Sequence, residues 1–197
     1  MFLSDLLGYV AVIVALGSGF YTLDRIRRGL HKPHVMSVVI WIILTTSAFI
    51  NMLQQDIDAA AYRTGVMVLL MLCNFYLTTR HGFGYITRID WVFFTLALFT
   101  IPIWVFTKNA DIALYWLVFI EIAGTAPTFR KAWDLPWDLN PVLYIWVSIA
   151  QSLQLASLLT SGKDYSFALL LYMTLFPAMF AALTGILVYR RRKLSRA

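Results

Sequence analysis

Glu121 is the residue whose chemistry most needs an explanation. It sits in Trp116-Leu117-Val118-Phe119-Ile120-Glu121-Ile122-Ala123-Gly124, the one carboxylate placed well inside a long apolar run. An ionised side chain there is costly, so the carboxyl must be protonated, paired or facing water. It is the first candidate for binding a solute or carrying a proton in a central cavity. The alternative is a neutral acid hydrogen-bonded to a neighbouring helix. Other polar residues interrupt apolar stretches in groups. Ser148, Gln151 and Ser152 share a face at helical spacing, with Gln154 near it and Trp146 just before them. Trp41, Thr45, Thr46, Ser47 and Asn51 mark a second stretch, and Asn74 lies in the middle of a third. Such hydroxyls and amides can hold a polyol or an amino-acid-like ligand, or they can tie helices together.

Several chemistries are poorly served by the remaining residues. The histidines, His31, His34 and His81, fall in or beside loops, which argues against a haem held by two histidines and against an intramembrane zinc site. Cys73 is the single cysteine, so no disulfide framework and no cysteine metal site is expected. The last apolar segment has no lysine in its body for a Schiff base. No glycine-rich phosphate loop or convincing Ser/His/Asp set is present. The expectation is a chain that is not an enzyme and carries no metal or cofactor.

The elements that must position these residues follow from composition. Of the 197 residues 60% are hydrophobic and 13% charged, and the mean hydropathy is +0.74. These values lie outside the range of an ordinary soluble domain. With roughly 20 apolar residues needed per span, the chain divides into seven helices at about 6–23, 35–53, 63–79, 91–107, 111–127, 141–160 and 166–189. The first run lacks the basic start and cleavage site of a signal peptide and is expected to be retained.

Charge sets the expected orientation. With the amino terminus outside, the inner loops and tail hold thirteen Lys and Arg: Arg25, Arg27, Arg28, Lys32, Arg80, Arg88, Arg130, Lys131, Arg190 to Arg192, Lys193 and Arg196. The outer side holds only Arg63, Lys108 and Lys163. This bias implies a cytoplasmic carboxyl terminus and an odd number of spans. The net charge of +6 reads as attraction to anionic lipid, especially at the basic tail 190–197, and not as a nucleic-acid footprint. Trp91, Trp104, Trp133, Trp137 and Tyr189 stand where interfacial anchors belong.

Shifting the chain against itself by 105 residues, without gaps, pairs Gly19 with Gly124, Thr22 with Pro127, Arg25 with Arg130, Trp41 with Trp146, Thr46 with Gln151 and Ser47 with Ser152. The same shift matches helices one to three with helices five to seven in orientation. Proline interrupts helical hydrogen bonding and bends or ends a helix, which marks Pro127, with Thr22 opposite it, as a candidate hinge.

This arrangement resembles the PQ-loop superfamily, which includes the SWEET sugar transporters, the half-size SemiSWEETs, cystinosin-like exporters and the KDEL receptor. The motif residues are Pro127-Thr128 followed by Phe129-Arg130-Lys131-Ala132-Trp133, and Thr22-Leu23 followed by Asp24-Arg25-Ile26-Arg27-Arg28, with Ser37 at the matching distance. The family's Gln is absent from both copies and its Pro from the first. The resemblance implies an all-α membrane protein of seven transmembrane helices, a single membrane domain over 1–197. Two parallel three-helix repeats, about 6–79 and 111–189, would be joined by an inverting linker helix at about 91–107. It also implies pocket roles for Asn74 and Asn51, and a hinge role for Pro127.

The expected function is a secondary transporter or facilitator. A small polar solute, sugar, amino-acid-like or vitamin-like, would bind between the repeats to Glu121, Gln151, Asn74, Trp146, Trp41, Thr46 and Asn51 and cross by alternating access. The alternative is a seven-helix receptor or assembly protein that binds a peptide or protein partner. Homo-oligomerisation is left open. Compact loops and the lack of soluble appendages point to a multi-pass protein of a prokaryotic plasma membrane.

Overall fold

The computed structural model describes residues 2–54, 58–81, 86–99, 102, 106 and 110–195. Among these the chain forms seven helices and no strand: α1 (Phe2–Arg27), α2 (Val35–Gln54), α3 (Asp58–His81), α4 (Arg88–Leu98), α5 (Ala110–Asp134), α6 (Pro141–Leu159) and α7 (Phe167–Leu194). Three of them, α1, α6 and α7, are long and apolar enough to cross a membrane, and shorter apolar stretches occupy Val35–Ile50 and Thr64–Arg80. Ile13, Phe20, Leu69 and Phe167 stand exposed, a surface suited to hydrocarbon and prone to aggregate in water.

Local chemistry explains the helix ends. Gly29 adopts φ +69°, and the Gly29 and Leu30 amides donate back to the Ile26 and Arg25 carbonyls at 2.9 Å each. This glycine-dependent cap ends α1 and turns the chain towards α2. Asn140 caps α6, accepting from the Val142 amide at 3.0 Å, with Pro141 in the first turn where its missing N–H costs nothing. Ser166 does the same for α7 through the Leu169 amide. Thr87 and Asp90 form a capping pair at the start of α4: the Asp90 carboxylate accepts from the Thr87 amide at 2.6 Å and its hydroxyl at 2.8 Å.

Two boundaries differ most from those expected. The fifth helix does not end near 127 but continues through Pro127 to Asp134, because proline removes one hydrogen bond without stopping a helix whose faces are held by neighbours. The linker helix is described over only 11 residues, about 16 Å of rise, which is short of the ~30 Å hydrocarbon core. Most of the remaining stretch to 107 lies outside the described residues.

Packing follows a ring. α3 packs against both α1 and α2, and α7 packs against both α5 and α6. The triplets meet where α1 touches α6 and α2 touches α5, so the order around the ring is α1, α3, α2, α5, α7, α6. α4 lies against α2 and α5. At the far end of α1 the contact with α6 is a reciprocal pair: Ser4 donates to the Ser157 carbonyl at 2.9 Å and Ser157 donates to the Ser4 carbonyl at 2.6 Å. The α2–α5 contact leaves no room for a side chain at one point. A Cβ on Gly124 would stand 2.5 Å from Ile40 Cγ2, and Ile40 is fully buried, β-branched and stiff.

Gly124→Val should therefore lower thermal stability in detergent by about 1–3 kcal/mol through overpacking. Gly17→Ala, where an added Cβ meets nothing within 4 Å, is the neutral control. Partial recovery is expected in the double variant Gly124→Val with Ile40→Ala.

Candidate functional site

Inside the ring lies a cavity of about 120 Å³. Each long wall is a single helical stripe. α3 contributes Thr64, Met67, Met71 and Asn74, and α6 contributes Tyr144, Val147, Gln151 and Gln154. These are the i, i+3, i+7 and i+10 positions of one helix face. α2 supplies Trp41, Thr45 and Ala48, and α7 supplies Tyr172, Met173, Phe176 and Phe180. Thr22 of α1 and Thr128 of α5 complete it beside His31 and Pro33. From Thr64 to Asn74 the cavity runs about 15 Å along the helix axis.

One wall is aromatic. Tyr144 and Phe180 stack with centroids 6.0 Å apart and planes at 11°. Phe176 meets Phe180 at 5.3 Å, Trp41 meets Phe180 at 6.0 Å, and His31 meets Tyr144 edge-on at 6.1 Å. No carboxylate, lysine or arginine is among the described lining residues. The polar groups are hydroxyls and amides. Asn74 is buried, and its amide oxygen already accepts from Thr78 at 2.9 Å, so its nitrogen is what it can offer a ligand. Gln154 is 7% exposed, and its buried Oε1 has no hydrogen-bond partner.

Charge collects instead at one end of the ring. Asp90 is fully buried and lies 3.3 Å from both His34 Nε2 and Arg130 Nη2. Burial alone would raise its carboxyl, but bonds from the Thr87 amide and hydroxyl, with His34 and Arg130 beside it, hold it below the usual value. Lys131 donates to the Lys32 carbonyl at 2.6 Å and reaches Asp138 at 3.6 Å. The Lys32 amide donates to the Asp138 carbonyl at 2.9 Å. The basic tail takes part as well. Arg190 donates to the Trp133 carbonyl at 2.9 Å, and Arg191 donates to the Pro136 and Leu139 carbonyls at 3.0 and 2.6 Å. The α1–α2 loop, the start of α4, the α5–α6 loop and the end of α7 are thus fastened into one closure.

Glu121 does not line the cavity as expected. It is 1% exposed and sits on α5 behind Trp41, which does. The Thr125 hydroxyl lies 3.3 Å from Oε1 and donates to the Glu121 carbonyl at 2.7 Å. The Trp41 indole N–H is the other donor that faces the carboxyl. Neither Oε2 nor the indole nitrogen closes a well-formed hydrogen bond.

Of the other expected residues, Asn74, Gln151, Trp41 and Thr22 meet at the cavity. Thr46 is not among its lining, and Trp146 is 44% exposed, pointing its bulk away from it. The side chain of Asn51 lies outside the described residues. Pro127 lies inside α5, where the Ser37 hydroxyl of α2 donates to the Gly124 carbonyl at 2.9 Å and accepts from Thr128 at 3.1 Å. Thr22 donates to the Ser18 carbonyl at 2.7 Å within its own helix. Ser148 bridges to the Pro177 carbonyl of α7 at 3.0 Å and so serves helix contact.

The residues missed are the aromatic and thioether lining. Tyr172, Phe176 and Phe180 recur every four residues, as do Met67 and Met71. That spacing was readable, but in segments apolar on every side it does not say which face turns inward. The pairing register also changes. Trp41 lines the cavity and Trp146 does not; Gln151 lines it and Thr46 does not. Pairs that both line it, Thr22 with Thr128, Trp41 with Val147, Thr45 with Gln151, Ala48 with Gln154 and Met67 with Met173, are 106 residues apart. Comparisons with protein-family models, curated proteins and solved structures find no match for the chain.

His31 joins cavity and closure. Its Nδ1 accepts from the Asn140 amide at 3.3 Å, and burial, with Lys131 adding to it, pushes its pKa down from 6.5 to about 3. The folded state therefore keeps it neutral where the unfolded chain takes up a proton. Its contribution to stability is complete above pH 6.5 and is lost progressively as pH falls towards 3. His31→Asn, which can accept the same bond, should flatten the fall in melting temperature between pH 6.5 and 4, measured by thermal unfolding across pH.

Proposed function

We propose that the chain is a membrane-embedded carrier that binds a small, uncharged solute in the central cavity and exposes it alternately to the two sides. The observation that carries this reading is the position of the cavity where two like-ordered helix triplets meet. Cavity residues on corresponding helices fall 106 positions apart, as a duplicated unit would give. The proposed topology is seven transmembrane helices in two parallel repeats, with α4 as part of an inverting linker, the amino terminus outside and the basic end in the cytoplasm. Arg192 and Lys193, with Arg196 beyond the described residues, would meet anionic headgroups.

The same reading gives the bends a role. Pro127 in α5 and Pro177 in α7 break the backbone ladder within the ring, and Thr22 bonds back to its own helix at the matching place in α1, which bends helices more gently. Rocking at these positions would part the fastened end. Glu121 would act through Trp41 and not by touching the solute.

The test is uptake into proteoliposomes over a panel of neutral sugars, amides and vitamin-like compounds. Saturable, protein-dependent uptake is expected. Gln151→Leu and Trp41→Ala should each cut it about tenfold, since losing one buried hydrogen-bond partner or a packing face costs about 1–3 kcal/mol. No uptake of any compound, together with tight capture of a peptide, would replace the carrier with a receptor of the same architecture.

A further inference from the structure

We infer that the solute is a flat, neutral, mainly apolar molecule with a single hydrogen-bonding group at one end, such as an unsaturated primary amide, and not a sugar. This rests on the carrier reading for transport, but the binding argument stands on the cavity alone.

Charge is excluded first. No described lining residue is an acid, lysine or arginine, and the His31 imidazole nitrogen already accepts from the Asn140 amide. An ion entering would lose its water with no counter-charge to replace it. The shape of the walls comes next. In the ring order α3 lies opposite α7, so the thioethers of Met67 and Met71 and the rings of Tyr172, Phe176 and Phe180 stand on opposite walls. The parallel Tyr144 and Phe180 rings, 11° apart in plane, extend that wall. A flat π-system fits between an aromatic face and thioethers, which attract its edge and face.

Hydrogen bonding then separates an amide from a polyol. Asn74 has spent its oxygen on Thr78, while Gln154 keeps a buried Oε1 without a partner. Gln154 lies five residues from the end of α6 and Tyr172 five from the start of α7, so this acceptor sits at the Tyr172 end of the aromatic wall. It calls for one N–H or O–H from the ligand. A sugar would bring several hydroxyls past the rings and thioethers of Met67, Met71, Phe176 and Phe180, where none is matched, and each one left unmatched costs about 1–3 kcal/mol.

The experiment uses the full chain in detergent with four probes: cinnamamide, N,N-dimethylcinnamamide, cinnamate and glucose. Binding is read by saturation-transfer NMR titration and by the shift in melting temperature, on wild type, Gln154→Leu and Phe180→Ala. Saturable cinnamamide binding is expected, weakened about tenfold in Gln154→Leu and lost in Phe180→Ala. The dimethyl amide, lacking a donor, should bind more weakly and respond only to Phe180→Ala. Cinnamate and glucose should not bind. Glucose or cinnamate binding as tightly as cinnamamide overturns the inference, as does a signal equal in all three proteins, which marks partition into micelles. A variant that melts well below wild type without ligand is replaced by Gln154→Met or Phe180→Leu and scored by the same criteria. Binding as expected but no counterflow in proteoliposomes defeats the carrier reading and leaves the ligand class intact. Glucose counterflow without cinnamamide binding does the reverse.

Discussion

The seam between α2 and α5 is the contact on which the rest of the structure depends. It needs Gly124, because the Ile40 methyl occupies the space of any larger residue. That approach brings the Ser37 hydroxyl within 2.9 Å of the Gly124 carbonyl, one turn before Pro127. It also turns Trp41 so that one side of the indole closes the cavity while its N–H faces Glu121. The proline, the acid and the cavity wall are therefore not separate features. They are consequences of two helices from different triplets approaching closely enough to close a ring.

The second organising fact is the separation of charge from the cavity. Asp90, His34, Arg130, Lys131, Asp138 and Arg191 gather at one end, and the described cavity lining is uncharged. Most interactions at that end join segments distant in sequence, such as Asp90 with His34 and Arg130 and Arg191 with Leu139, so the closure holds loops as well as helix ends. It also changes the meaning of the basic tail. Arg190 and Arg191 are spent on carbonyls of the α5–α6 segment, and both sit over tryptophan rings, at 4.7 Å from Trp133 and 4.9 Å from Trp137. Cations that look like a simple lipid anchor in the sequence partly act as an internal clasp, which charge counting has no means to distinguish.

Much of the architecture was legible in the sequence because it depends on long-wavelength patterns. Apolar length gave the helices, and loop cations marked the end at which α1, α5 and α7 finish. The choice of inward face was not legible in the same way. Outward-facing and ring-facing sides of α6 are both apolar, so Trp146 and Tyr144, two residues apart, look alike until packing separates them: Tyr144 is buried and stacked, Trp146 exposed. Glu121 was found by its rarity, but rarity says only that a carboxyl is buried, not whether water or a tryptophan covers it. The gapless shift sets Gln151, but not Gln154, against a polar residue; burial and its unpartnered oxygen give Gln154 the sharper role.

The self-comparison at 105 and the cavity pairs at 106 differ by one residue for a physical reason. The shift of 105 was set by motif residues near the loops, where Gly19 with Gly124 and Arg25 with Arg130 fall in step. Most lining pairs follow 106, and one residue on a helix is about 100° of rotation. Gly19 and Gly124 illustrate the difference: a Cβ on Gly19 would meet Leu70 of α3, within its own triplet, whereas one on Gly124 would meet Ile40 of the other triplet. The two positions match in the alignment but face different neighbours. Under the carrier reading this asymmetry is useful. The α2–α5 seam, tightened by Gly124 and bent at Pro127, and the α1–α6 seam, tied at its far end by Ser4 and Ser157, would yield at different depths. A motion that opens one seam near the charged end could then leave the other closed, which is the geometric requirement for exposing a central site to one side at a time.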